Sequence, residues 1–351
     1  MNILYGVPGE GMGHATRSKV IIDHLLKEHN VQVVSSSRAY QFLAKSFPDR
    51  VHEIRGFHFS YKNAQVSKTG TFMLNLKNAP KNLLHNFTEY FHLDKSFKPD
   101  LVISDFESFS FVFAKQHRLP LISIDNMQVM ARCKLDISVP STEKKNFSLA
   151  RAIVKAKVPG CNHYFISSFF DAETRKENTT LVAPIVRETI IKAKPSTGDH
   201  ILMYQTSSTL STVKEVLHRL PDIAFFVYGF NKDEKDGNIT FKSFSEEGFV
   251  KDLASAKAVI ANGGFSFISE AVYLRKPVYS FPLKNQFEQY INAAYIGKCG
   301  YGRHFEELSA DNLKAFLYDL AVFTKKLSAY QQNGNTLLFK ALEKELKKIS
   351  A

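Results

Sequence analysis

Residues Asn2-Ile3-Leu4-Tyr5-Gly6-Val7-Pro8-Gly9-Glu10-Gly11-Met12-Gly13-His14 decide the fold. An apolar run of strand length ends in a glycine-rich loop. Behind it, residues 15–28 place Val20, Ile21, Leu25 and Leu26 near a period of 3.6, the spacing of a helix with one buried face. Residues 31–35 form the next short apolar run. Strand, glycine loop, helix, strand is the opening of a parallel βαβ unit. The first run carries no basic flank and no small-residue cleavage site, so it reads as a strand rather than a signal peptide, and a cytoplasmic protein is expected.

The same grammar recurs outward from this unit. Residues 100–105 read as a strand ending in Asp105, residues 109–117 as its helix and 119–124 as the next strand. A polar stretch, 140–147, precedes a helix to about Lys157. Residues 181–185 read as the exit from a first domain, and 192–199, with Lys, Pro, Ser and Gly, as a linker. Then the pattern restarts: strand 201–204, loop 205–209, helix 211–219, strands 224–228, 239–241 and 258–261, helix 267–273 and strand 278–281. The tail beyond Asp311 is helical and lysine-rich. The expectation is an α/β protein of two Rossmann-like, doubly wound domains facing a cleft, residues 1–190 and 191–351, with the last helix free to pack back on the first domain. A chain of 351 residues suits two such cores. Their ligands belong at the carboxyl ends of the strands.

Composition narrows the class. Hydrophobic residues make up 44% and charged residues 23%, a globular balance. No stretch approaches the roughly 20 apolar residues that span a bilayer. Cys133, Cys161 and Cys299 are odd in number and lack CxxC spacing, so buried thiols are expected rather than a metal site or disulfide framework. The net charge of +12 points to a polyanionic partner, yet no nucleic-acid-binding motif is present, and nucleic acid is not expected.

The first loop carries candidate chemistry. Gly9, Gly11 and Gly13 let backbone approach a ligand, and the following helix offers free N–H groups to an anion; a tight βα turn is the alternative. His14 sits where the helix dipole disfavours imidazolium, as suits a general base, unless it merely caps the helix. Asp105, on the same rim of a parallel sheet, is the natural group to orient it; capping the next helix is the alternative. Asp125 ends the neighbouring strand with a weaker claim. In the second half, Gly263-Gly264 follows a strand and opens a helix, again a phosphate cradle. Glu270 falls about two turns into that helix, placed for ribose hydroxyls.

The run Gly-Gly-x5-Glu-Ala (263–271), Lys-Pro-Val (276–278) and Pro-Leu-x2-Gln-x-Glu-Gln-x2-Asn-Ala (282–293) resembles the donor half of GT-B glycosyltransferases. That group includes the lipid-linked N-acetylglucosaminyltransferase of peptidoglycan synthesis and the UDP-glycosyltransferases of plants and animals. The opening Gly9 to Ser18 resembles bacterial and archaeal glycosyltransferase-like proteins that begin Gly-x-Gly-x-Gly-His-x2-Arg-Ser. The resemblance implies that Glu270 binds the donor ribose, and that Gly263, Gly264, Phe265 and Ser266 cradle the pyrophosphate. It implies that Gln286 and Gln289 contact the sugar, and that backbone near Phe244 reads the base. His14 and Asp105 match the base and its orienting acid, with Gly11, Gly13 and Arg17 on the acceptor-side loop. The chain departs from the pattern at Gln205-Thr206-Ser207-Ser208, where the family has glycines. There the Thr206 and Ser207 hydroxyls would replace backbone amides. Phe265 also replaces a small residue.

No Asp-x-Asp pair ends a strand, so no metal and no cofactor is expected; the nucleotide sugar is a substrate. The implied activity is inverting transfer from a nucleotide sugar, UDP-linked in the nearest resemblance, to a glycan or lipid-linked acceptor of the cell envelope. The alternatives are a UDP-N-acetylglucosamine 2-epimerase-like enzyme and a non-catalytic sugar-nucleotide sensor. The segment from Arg55 to Lys81 has five Lys/Arg, no acid and interleaved aromatics, and that from Arg132 to Lys157 has seven Lys/Arg against two acids. An anionic membrane surface is the partner this pattern suits, with a basic loop packed by its own aromatics as the alternative.

Overall fold

The computed structural model describes residues 1–9, 11–55, 61–62, 65–66, 93–205 and 210–350. The chain forms two compact units, Met1–Ile185 with Asn333–Ala351, and Val186–Gln332.

The first unit runs β1 (Asn2–Gly6), α1 (Met12–Leu25), β2 (Asn30–Ser35), α2 (Ser37–Ser46), β3 (Val51–Glu53) and a small antiparallel pair, β4 (Tyr61–Lys62) and β5 (Gln65–Val66). It continues through β6 (Leu101–Ser104), α3 (Ser108–Gln116), β7 (Leu121–Asp125), α4 (Val129–Arg132), α5 (Lys144–Lys157), β8 (His163–Ser167) and β9 (Thr179–Val182). Seven of these strands form one sheet in the order β3-β2-β1-β6-β7-β8-β9, with every pairing parallel. A parallel sheet covered on both faces needs strands apolar on both sides. β6 and β7 are accordingly buried at every residue.

The second unit runs α6 (Glu188–Lys192), β10 (His200–Tyr204), α7 (Leu210–His218), β11 (Ala224–Tyr228), β12 (Glu234–Asp236), β13 (Ile239–Lys242) and α8 (Glu246–Ser255). Then come β14 (Ala258–Ala261), α9 (Phe265–Tyr273), β15 (Val278–Ser280), α10 (Phe287–Cys299), β16 (Gly302–His304), α11 (Ala310–Tyr318) and α12 (Leu320–Ser328). Its sheet order is β12-β13-β11-β10-β14-β15-β16, parallel except for β12. That edge strand is short and charged, which suits an edge. Residues 192–199, read above as a linker, lie inside this unit. Ser196 N donates to Ala254 O at 2.9 Å and Gly198 N to Ser255 O at 2.8 Å.

The last helix, α13 (Thr336–Ser350), belongs to the first unit. Leu338, Leu342 and Leu346, spaced four apart, join the core of β1, β2 and α1. Cys133 and Cys161 are buried free thiols, and Cys299 is a half-buried one. Burial pushes the Cys133 thiol up to about 11 and Cys161 up to about 12. Among the described residues, no helix is long and apolar enough to cross a membrane.

Candidate active site

At the carboxyl edge of the first sheet, Gly11 takes φ +86, a conformation that side chains rarely adopt. Helix α1 begins one residue later, so His14 lies in its first turn. No side chain caps this end, and His14 is therefore not a cap. Gly13 lies within the helix. Glu10 lies outside the described residues.

Asp105 follows β6 and is fully buried. Its Oδ1 lies 3.1 Å from His14 Nδ1. Arg17, three residues beyond His14 on the same helical face, donates Nε to Asp105 Oδ2 at 2.9 Å, and its Nη2 to Oδ1. Arg17 Nη1 donates to Asn126 Oδ1, and Ser18 Oγ donates to Asp105 Oδ2 at 3.0 Å. Burial alone would raise the Asp105 carboxyl. The Arg17 guanidinium outweighs it and holds that carboxyl well below the ordinary range. Asp105 does not cap the next helix. Glu107 does, accepting from Phe109 N at 2.7 Å and Ser110 N at 2.6 Å. Phe106 between them has φ +60, strain of about 1–3 kcal/mol held at the strand edge.

Asp125, at the end of β7, accepts from Gln128 N at 2.8 Å and Ser123 Oγ at 2.6 Å. Burial pushes it up to about 6 against those two bonds, and the Asp105 charge adds to the push. Burial also lowers Lys157, whose ammonium lies 4.5 Å above the Phe106 ring. Arg132 stacks on Tyr164 at 3.6 Å. Two of the seven basic side chains from Arg132 to Lys157 are thus turned to neighbouring rings.

At the corresponding edge of the second sheet, β14 ends at Ala261, and Gly263 in the turn that follows takes φ +104. A Cβ there would lie 2.7 Å from Gln289 O. Asn292 Nδ2 donates to Gly263 O at 2.9 Å and fixes the turn. Gly264 is the N-cap of α9, and no side chain satisfies the helix end. A Cβ on Gly264 would meet nothing within 4 Å, so this helix end opens onto space. Phe265 turns inward and is buried, whereas Ser266 is half-buried in the first turn.

Glu270 is buried, and both its oxygens accept from Arg187, through Nε and Nη2, at 2.7 Å each. Burial raises this carboxyl despite the guanidinium. Ribose hydroxyls would therefore have to use the remaining lone pairs of Glu270. Gln289 turns its side-chain oxygen to Leu283 N at 3.0 Å, so that oxygen braces the loop rather than standing free for a sugar. Gln286 is the half-buried N-cap of α10. Phe244 is 53% exposed and leads a ring cluster with Phe249 (5.5 Å), which also meets Tyr204, Tyr228 and Phe267. Thr206 and Ser207 lie outside the described residues, as does most of the stretch from Arg55 to Lys81.

Two partners escaped the sequence reading. The resemblance assigns Arg17 to the acceptor-side loop; the structure sets it on Asp105, and the only signal for that is its i, i+3 spacing from His14. Arg187 carried no signal, because its carboxylate is 83 residues away. Among the described residues, one His–carboxylate group comes within metal-ligand range, Glu28, His29 and Glu343, at the end of α1 remote from His14.

The model of glycosyl transferase family 1 matches residues 1–321. The chain belongs to this family. A relative, an uncharacterised glycosyltransferase of Methanosarcina acetivorans, is 24% identical over 99% of both chains. Among solved structures, the calicheamicin glycosyltransferase CalG4 superposes with a TM-score of 0.68 at 15% identity, covering 100% of this chain and 99% of that one. The UGT2 of Phytolacca americana, solved with UDP-2-fluoro-glucose and pterostilbene, gives 0.67 at 16% identity over all of both chains. The protein is a glycosyltransferase with the GT-B fold, built of two Rossmann-like domains.

Proposed function

We infer that this glycosyltransferase moves a sugar from a nucleotide donor, UDP-linked, to a hydroxyl of a glycan or lipid-linked acceptor of the cell envelope, with inversion and without a metal. The observation that carries the reading is the His14–Asp105 pair, 3.1 Å apart at the carboxyl edge of the first sheet. His14 Nε2 takes the hydroxyl proton as the acceptor oxygen attacks the anomeric carbon. The bond from that carbon to the diphosphate breaks, and the diphosphate leaves with the electron pair. Asp105 carries the negative charge that stabilises the imidazolium formed. The open N-terminus of α9 receives the charge of the diphosphate. Glu270 takes the ribose through lone pairs that Arg187 leaves unused.

The acceptor class rests on α5. Lys144, Lys145, Arg151 and Lys155 are exposed, and the helix carries no acid. Leu149 and Ile153, one turn apart, are 53% and 57% exposed. A basic helix with exposed apolar side chains suits an anionic lipid surface. Sedimentation with anionic vesicles should carry the protein down, and Leu149→Ser/Ile153→Ser should leave it in solution. Equal sedimentation of both would remove the membrane from this reading.

Thermal stabilisation against a panel of nucleotides and nucleotide sugars, with EDTA present, tests the donor. At 100 times its Kd a ligand adds about 2.7 kcal/mol. A shift with UDP or one UDP-sugar supports the assignment; no shift with any nucleotide removes it.

A further inference from the structure

His14 Nδ1 has two neighbours that make opposite demands. Arg17 Nη2 lies 2.7 Å away and Asp105 Oδ1 3.1 Å away. A guanidinium nitrogen only donates, and a carboxylate oxygen only accepts. A neutral imidazole nitrogen is either acceptor or donor, so it satisfies one of the two. The shorter contact is to the donor. Asp105 Oδ1 is meanwhile supplied by the same Arg17 Nη2, and Oδ2 by Arg17 Nε and Ser18. Its charge is well satisfied without the ring. Nδ1 is left as a lone pair, and the ring proton belongs on Nε2, which has no hydrogen-bond partner among the described residues.

That tautomer cannot accept a proton at Nε2. We propose that Arg17 is a positioning residue that holds His14 in a resting Nε2–H tautomer, and that His14 becomes a base only when Nδ1 changes partner from Arg17 to Asp105. The catalytic consequence rests on the function proposed above; the tautomer itself does not. Arming leaves the protonation state of the ring unchanged. Nε2 gives its proton to water, Nδ1 gains one from water, and the new Nδ1–H donates to Asp105 Oδ1. Nη2 and Oδ1 bracket the same nitrogen, so the ring needs a small shift rather than a new rotamer. Nε2 then takes the acceptor proton. Arg17 keeps its bonds to both Asp105 oxygens and to Asn126 throughout, so no buried carboxylate is stranded.

The charges that face this ring are Arg17 on its own helix and Asp105 after β6. Behind Asp105 stand Asp125 after β7, Glu107 before α3 and Lys157 on α5. Removing the nearest positive charge favours imidazolium. In Arg17→Gln the acid limb of the kcat/KM profile should therefore move to higher pH. Arg17→Lys keeps the charge but loses the fork, and its acid limb should stay closer to that of the parent.

The direct test is 15N NMR of histidine-labelled protein, with His14 assigned from the spectrum lost in His14→Gln. The wild-type protein should show a lone pair at Nδ1 and a proton at Nε2. Both Arg17→Lys and Arg17→Gln, checked for folding by circular dichroism, should gain the Nδ1–H form. A wild-type ring already protonated at Nδ1, or an unchanged tautomer in both folded variants, would overturn the proposal. If only Arg17→Lys folds, its tautomer alone decides. Full turnover in His14→Ala would sink the base assignment and leave the tautomer result standing. An acid limb unmoved in Arg17→Gln, with loss of stability only, would reduce Arg17 to a structural ion pair.

Discussion

The two sheets share one strand order about their first strands, β2-β1-β6 and β11-β10-β14. Each sets a carboxylate on an arginine at its edge, Asp105 on Arg17 and Glu270 on Arg187. The pairs differ in access. Asp105 and Arg17 are 1% and 3% exposed, whereas Glu270 and Arg187 are 8% and 14% exposed. At the first edge the charges act on one another and on a single imidazole. At the second the carboxylate lies further along α9, and the surface at the helix start is backbone, Gly263 and Gly264. One scaffold therefore supports two kinds of site. At one edge a sealed charge network surrounds an imidazole; at the other, in the function proposed here, an uncapped helix end receives an anionic ligand.

The largest effect expected from this division is in His14→Ala. Loss of a positioned general base costs about 10²–10⁴-fold in kcat. Stabilisation by the nucleotide should be unchanged, because the helix end is untouched. Titration calorimetry with UDP beside steady-state kinetics checks both halves. Loss of nucleotide binding together with turnover would break the assignment of chemistry to one edge and binding to the other.

Asp125→Asn probes the sealed network at the next scale. The folded-state pKa of Asp125, about 6, lies above the ordinary aspartate value of about 3.9. Between those values the folded protein holds a proton that the unfolded chain has released. The contribution of this carboxyl therefore falls as pH rises from 4 to 6, by about 3 kcal/mol in all. Asn keeps an acceptor for Gln128 N and can donate to Ser123. The variant should be near wild-type stability at pH 4 and gain on it progressively to pH 7 in urea unfolding. A gap that does not change with pH would mean that Asp125 is ionised throughout, and that the edge is less sealed than its burial indicates.

The sheets were legible because buried parallel strands are continuous apolar runs. β1, β6, β10 and β14 fall within about two residues of their expected limits at either end. β8 and β9 went unassigned. β9 is only half-buried along most of its length, so it lacks the apolar run that marks an inner strand. Helix α10 carries no helical signal of its own in the sequence: its start at Phe287 falls inside the 282–293 motif, which is read for its resemblance rather than for periodicity. His14 and Asp105 lie 91 residues apart, yet both were found, since each follows a strand that a parallel sheet brings to one rim. Their arginine partners were not. A fork on a buried carboxylate depends on knowing that the carboxylate is buried, and no local pattern reports that.

Gly263→Ala tests the open edge. Its φ of +104 strains any side chain, and its Cβ would press on Gln289 O at 2.7 Å. The turn must shift, and α10 with it. A cost of about 1–2 kcal/mol in the turn corresponds to roughly tenfold weaker donor binding if the cradle moves. The acid limb of the pH–rate profile should stay in place, because nothing at the His14 edge changes. A moved acid limb with unchanged donor affinity would show that the two edges do not act separately.

The smallest effect sets stability against affinity. Helix α8 in the same unit is capped by Ser245, whose Oγ accepts from Gly248 N at 3.2 Å; α9 has no such bond. Gly264 has extended φ and ψ of −61° and 127° and open space around its Cβ position, so Ser fits there without strain. In Gly264→Ser the new hydroxyl can satisfy an N–H of the first turn and stabilise the fold by a few tenths of a kcal/mol. The same bond competes with a phosphate oxygen for that N–H, so UDP should bind severalfold more weakly while the melting temperature rises slightly. Structural helix starts gain by such a cap at no cost to function. If Gly264→Ser bound UDP as well as the parent, the N-terminus of α9 would belong with the structural helix starts, and the diphosphate would have to be held elsewhere.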